Sequence, residues 1–323
     1  MTSTASTVAT TGRRAKPSGR TIGLLAVVAV VVCFSLGSTL VKRSHTPGVL
    51  VAFWRMVTTT IVWNLLLFIR GRHITLADIK QALIPGVFFG LNIACFYAGA
   101  THNSVANAEL IGSLTPFLVV PIGARFFKEY INVRALFFAF VAFIGVGIVL
   151  FTAPPKGDAS LKGDLLGFTA MMLWATYIAT ARYFRKDMDV VTFMASITPI
   201  AIVTVLPLAL VNGHMFTISG TGWRYIALLT FITGVAAHGL MVFAQKTIPI
   251  GTIGIAQVAQ PALAALWSFL LVGETLRGSQ LFGMVLVLGG LLSFVIMNQR
   301  APVAPANGPK NGSINEVPTV PPA

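Results

Sequence analysis

Twenty consecutive positions, from Ile22 to Val41, pass without a charged residue. A helix of that length is about 30 Å long at 1.5 Å per residue, enough to cross the hydrocarbon layer of a bilayer. Runs of the same kind recur along the chain. They predict spans near 22–41, 49–69, 82–100, 104–125, 133–153, 165–184, 190–211, 225–245, 250–272 and 279–297. Only short polar segments separate them, so lipid must take up the apolar surface. The expected architecture is an all-α integral membrane protein with about ten transmembrane helices. Residues 1–19, rich in Ser, Thr and Ala with Arg13, Arg14 and Lys16, read as a disordered basic tail. Residues 299–323, Pro-rich with Asn-Gly steps, read as a second disordered tail.

Composition sharpens this picture through charge. The 323 residues are 55% hydrophobic and 10% charged, with a formal net charge of +14. In a soluble chain that excess would suggest nucleic acid, but here the bases sit between apolar runs. Threading the spans alternately places sixteen Lys and Arg on the side of the termini, six on the other, and Arg55 within the membrane. The excess marks the cytoplasmic side, so the expectation is a multi-pass membrane protein with both termini cytoplasmic and no nucleic-acid partner. The first span is too long for a typical signal-peptide core and lacks a small-residue cleavage site, so it is expected to be retained. Cys33 and Cys95 fall inside apolar spans, which implies neither a disulfide framework nor a metal site.

The chain repeats itself. Phe34, Lys42 and Phe53 are followed 140 positions later by Trp174, Arg182 and Phe193. At an offset of 145, Leu83, Pro116, Leu118, Glu129 and Gly145 find Leu228, Pro261, Leu263, Glu274 and Gly290. The shift places a five-residue insertion in the segment from Asn212 to Trp223. Five spans per repeat is an odd number, so the second half, residues 160–298, enters the membrane upside down relative to the first, residues 20–153. Inverted repeats of this kind build transporters that alternate access around a midplane site.

Four segments carry a resemblance to a known family. They are AFWRMV (Ala52 to Val57), ANAELIGSLTPFLVVPIGARFFKEY (Ala106 to Tyr130), IGIAQVAQPALAALWSFLLVGE (Ile253 to Glu274) and GDLLGFTAMMLWATYIATARY (Gly163 to Tyr183). In order and spacing they resemble the two EamA domains of the drug/metabolite transporter superfamily, over roughly residues 20 to 298. The resemblance implies secondary transport of a small molecule, with export of amino acids, metabolites or drugs as the usual activity, and no cofactor. The chain departs from the family pattern at Glu109, where a small residue is common, and at Lys128, where a Gly usually precedes the acidic residue.

Polar residues inside apolar spans are the candidates for substrate contact. Arg55 lies about 9 Å from the outer end of its span. A charge at a helix centre costs about 2.5–3.5 kcal/mol on the insertion scale, so it should face the bundle, as a ligand group or as a structural anchor. Glu109 sits at similar depth in the fourth span. The two are expected to flank the outer part of a cavity, where a zwitterionic amino acid would satisfy both, or to form a permanent structural pair. Glu109 is also the candidate for a coupling proton. Asn92, His238, Gln257 and Gln260 are polar near the membrane middle, for cavity lining or for interhelical hydrogen bonds. Gln257 and Gln260 share a helix face at i, i+3. Trp174 and Tyr177, also at i, i+3, are candidates for a cavity wall, while Tyr97 reads as an interface anchor. Pro116 and Pro261 are expected to bend their helices at mirrored sites. Gly86 and Gly90 permit close helix contact, and Glu129 and Glu274 read as structural helix ends.

Other functions find less support. No phosphate-binding G-x-x-x-x-G-K-[ST] run occurs, which argues against nucleotide hydrolysis. An intramembrane enzyme acting on a lipid or acyl substrate would have to rely on Glu109 or His238, without paired carboxylates, H-E-x-x-H or a nucleophile motif. A homodimer is left open.

Overall fold

The computed structural model describes residues 18–102, 105–152, 160–185, 188–272 and 277–298. Residues 1–17, the whole of the second tail and Glu274 lie outside the described residues. Within them every regular element is helical. The first half holds α1 (Gly19–Ser35), α2 (Gly37–Arg43), α3 (Gly48–Ile69), α4 (Leu76–Thr101), α5 (Val105–Ser113), α6 (Pro116–Phe127) and α7 (Val133–Phe151). The second holds α8 (Leu161–Arg185), α9 (Val190–Asn212), α10 (Gly220–Leu229), α11 (His238–Ala244), α12 (Ile250–Ala256), α13 (Gln260–Val272) and α14 (Gly278–Asn298). A π-helical stretch, Thr230–Ala237, joins α10 to α11, and a 3-10 turn, Gln257–Ala259, joins α12 to α13.

Nine helical segments among the described residues are long and apolar enough to cross a membrane, with α1–α2, α5–α6, α10–α11 and α12–α13 each forming one broken span. The tenth segment, α8, has 25 residues and so is long enough. It falls short in apolarity, because it carries Lys162, Asp164, Arg182 and Arg185 at its ends and three threonines and a Tyr between. It packs along α4 as the spans do.

Short polar caps fix where the helices begin. Thr75 accepts from the N–H of Asp78 while Asp78 accepts from the N–H of Thr75, a reciprocal box that satisfies two donors of α4. Asn132, Asp189 and Ser219 cap α7, α9 and α10 through their side-chain oxygens. Large apolar side chains such as Leu25, Phe140 and Val285 are exposed, which suits lipid and not water.

Packing follows a pseudo-two-fold. α7 pairs with α14, α3 with α9 and α6 with α12, each a span against its own repeat mate, while α4 against α8 mirrors α11 against α1. The symmetry reaches single atoms. A Cβ on Gly145 would meet the Gly283 carbonyl oxygen at 2.7 Å, and one on Gly290 would meet that of Phe138 at the same 2.7 Å. Both residue pairs are related by the 145 offset, so these glycines let α7 and α14 touch backbone to backbone. Gly86 and Gly90 bring α4 against Ile200 and Ala201 of α9 in the same way.

Candidate functional site

Both mirrored prolines stand where a span breaks. Pro116 opens α6 after a turn at Leu114–Thr115, and Pro261 is the second residue of α13, following the 3-10 turn. Each lacks the N–H that a continuous helix would use. The breaks flank a cavity of about 100 Å³ that Thr115, Gln257, Gln260 and Pro261 help to line. Arg55, Glu109, Asn92, Trp174 and His238 line it too. It lies between the membrane middle and the face opposite the start of α1.

Tyr177 does not line this cavity. It is wholly buried behind it, tilted against Phe89 with ring centroids 4.9 Å apart and against Trp174 at 5.4 Å. Asn92 spends its amide on structure, donating to the Ala170 carbonyl at 2.8 Å and so tying α4 to α8. Tyr97 differs from the interface-anchor expectation: it is 2% exposed, lines the cavity, and lies under the Arg55 guanidinium at 5.5 Å from the ring centroid. Its helix face explains this, since Asn92, Ile93, Phe96 and Tyr97 share one side of α4 and all reach the cavity.

Arg55 is fully buried, and no ion pair joins it to Glu109 among the described residues. Its Nε and Nη1 have no hydrogen-bond partner. Nη2 lies 3.3 Å from His238 Nδ1, but that nitrogen is also in short contact with the Thr233 carbonyl oxygen. A carbonyl only accepts, so Nδ1 carries the proton and faces Nη2 donor to donor. Arg55 thus lines the cavity with the Tyr97 ring beneath its guanidinium and no carboxylate paired to it among the described residues. Glu109 is 6% exposed and accepts from Ser38 Oγ at 2.6 Å. The site thus holds a guanidinium and a carboxyl group that are separately buried and, among the described residues, not paired to each other.

The sequence did not point to Ser38, a small residue in the midst of an apolar run. Nor did it point to Thr233, whose role depends on the π-helical stretch that turns its carbonyl toward His238. Such local over-widening is frequent at functional sites. Its sequence signal is faint: a Thr-rich stretch with Gly234 at the point where α3 comes close.

Glu129 ends α6 as a structural helix end, and it also reaches across to the other repeat. Its carboxylate accepts from the N–H groups of Ile250 and Gly251 at 2.9 and 3.2 Å and pairs with Arg182 at 2.7 Å. Arg182 in turn donates to the Ile248 carbonyl at 3.2 Å and stacks over Phe127. This latch joins α6, α8 and α12 at the face on which α1 begins, opposite the half that holds the cavity.

Two inverted helical halves around a buried, charged, unpaired cavity define a membrane transporter. The chain belongs to the EamA-like transporter family, whose sequence model matches residues 21–151 and again residues 161–296, once per repeat. With that, the chain takes its place among drug/metabolite transporters, and the intramembrane-enzyme reading drops away. It is similar to the uncharacterized transporter YyaM of Bacillus subtilis, 28% identical over 64% of this chain and 68% of the relative. It is similar to the threonine/homoserine exporter RhtA of Salmonella typhimurium, 22% identical over 86% of this chain and 92% of the relative. A solved crystal structure, 17% identical, matches 88% of this chain and 100% of its own with a TM-score of 0.71, which shows the shared fold.

Proposed function

We propose that this protein is a secondary active exporter of small amino acids or related zwitterionic metabolites, working by alternating access at the central cavity. The observation that carries the reading is Arg55, a fully buried guanidinium in the lining of the cavity, two of whose nitrogens have no hydrogen-bond partner. A buried cation without a counter-charge is costly, and a substrate carboxylate would supply one. Glu109 on the same cavity would take the substrate ammonium, or a coupling proton when no substrate is bound. The cavity volume of about 100 Å³ suits a small ligand. The name of the similar RhtA protein, an exporter of two amino acids, supports the same class.

The latch supports alternation. It closes one face while the cavity occupies the other half, as expected of a carrier caught on one side of its cycle. The excess of Lys and Arg beside the termini supports a cytoplasmic latched face, and an exporter of this kind would work in the plasma membrane.

Proteoliposomes loaded with a mixed pool of amino acids test the reading, with wild type compared with Arg55→Gln and Glu109→Gln, with and without a pH gradient. Selective loss of at least one amino acid is expected, reduced tenfold or more by Arg55→Gln. Flux untouched by that change would sink the carboxylate assignment. Wild-type flux indifferent to the gradient would remove proton coupling at Glu109.

A further inference from the structure

Besides Arg55 and Glu109, the cavity is lined by two neutral side chains whose hydrogen-bonding roles are set by their neighbours. Trp174 Nε1 can only donate, and it lies 3.1 Å from Gln257 Oε1. Gln257 must therefore turn its carbonyl toward the indole and its NH2 group away from it. That Nε2 atom is buried and has no partner. It is a free donor.

His238 is fixed the same way. Its Nδ1 proton is held by the Thr233 carbonyl, so in the neutral ring Nε2 carries the lone pair. Nε2 is also buried without a partner, and the residue is 1% exposed. It is a free acceptor. The ring cannot readily rotate away, being packed edge-on against Phe34 at 4.8 Å, Phe89 at 4.8 Å and Trp174 at 5.8 Å.

Both groups flank the Trp174 indole and both line the same cavity. A buried donor and a buried acceptor, left open on two side chains that line one cavity, are each costly unless the ligand completes them. One oxygen that both gives and takes a hydrogen bond would do so. We infer that His238 and Gln257 form a hydroxyl-reading subsite, which selects an amino acid with a hydroxyl on its side chain over the aliphatic isostere. The inference rests on the amino-acid reading above and adds a specificity to it. Sites built to bond a hydroxyl reject the analogue that lacks one far more strongly than apolar pockets reject a missing methylene.

L-threonine and L-valine, which differ by a hydroxyl in place of a methyl, are the natural probes. Counterflow of each radiolabelled amino acid in proteoliposomes gives kcat/KM for both, for wild type, Gln257→Leu and His238→Phe, each shown monodisperse first. His238→Phe keeps an aromatic ring against Phe34 and Trp174, so a loss there reports the nitrogen. A wild-type threonine preference of at least about tenfold that falls toward one in both variants is the expected result. Equal handling of the two by wild type, or a preference surviving in both variants, would overturn the subsite while leaving the exporter reading in place. If neither amino acid moves, the amino-acid reading and the subsite fall together.

Discussion

A single side chain, Lys128, shows how the chain accommodates a residue that its local geometry disfavours. It follows α6 in the left-handed conformation, with φ 51° and ψ 35°, and lets the Glu129 N–H return to the Gly123 carbonyl. A side chain there brings Cβ against the following carbonyl at a cost of about 1–2 kcal/mol, which glycine avoids. Part of that gain is offset by glycine's greater freedom in the unfolded chain. Lys128→Gly is therefore expected to stabilise the protein by about 0.5–1 kcal/mol, seen as a higher melting temperature in detergent. A lower one would mean that the lysine side chain holds something the backbone argument omits. Arg55 and Glu109 were legible at this scale, because a charge inside an apolar run must face the bundle. Ser38 was not, since nothing about a serine near Gly37 announces that Glu109 stands opposite it.

At the scale of elements, the helix starts were readable from their caps and the breaks from their prolines. The π-helical stretch was not, because period alone does not distinguish it from the α-helix around it, and with it went the link from Thr233 to His238. The burial of Tyr97 was missed for a related reason: distance from the span end suggested an anchor, while the helix face it shares with Asn92 decided the matter. The start of α9 gives a prediction at this scale. Partial burial pushes the Asp189 carboxyl up, but hydrogen bonds from Thr192 and Val191 and the Arg72 guanidinium outweigh it and hold the group below its usual range. A carboxylate whose folded value is depressed adds stability above its unfolded value, about 3.9, and loses it as pH falls through the folded one. Asp189→Ala should then melt earlier than wild type at pH 7, by about 1 kcal/mol for the lost cap, and the gap should narrow as pH falls below about 3.9. A gap that stays constant down to pH 3 would assign the loss to packing and not to the charge.

At the scale of the whole molecule the inverted repeat was legible from paired residues 145 positions apart, and its consequence is mechanical. Two halves of like structure and opposite orientation can exchange which face is closed, provided that the closing contacts are few and breakable. Glu129 supplies the contacts for one face: its carboxylate is 4% exposed, and two backbone donors and Arg182 depend on it. Removing one partner of a buried pair costs about 3–5 kcal/mol, and this cost falls on the latched state alone, so the population must shift toward the other. Val119 reports it. This residue is wholly buried and faces Gly254, between α6 and α12 on the cavity side of the latch. With Cys33 and Cys95 replaced by serine, a cysteine placed by Val119→Cys should react slowly with an impermeant maleimide added at the latched face. Adding Glu129→Gln should raise that rate tenfold or more, the equivalent of about 1.4 kcal/mol, and Arg182→Gln should raise it in the same direction. Faster labelling from the opposite face instead would mean that Glu129 holds the structure open there. No change at either face would reduce the latch to a static helix cap and leave the alternation to contacts elsewhere.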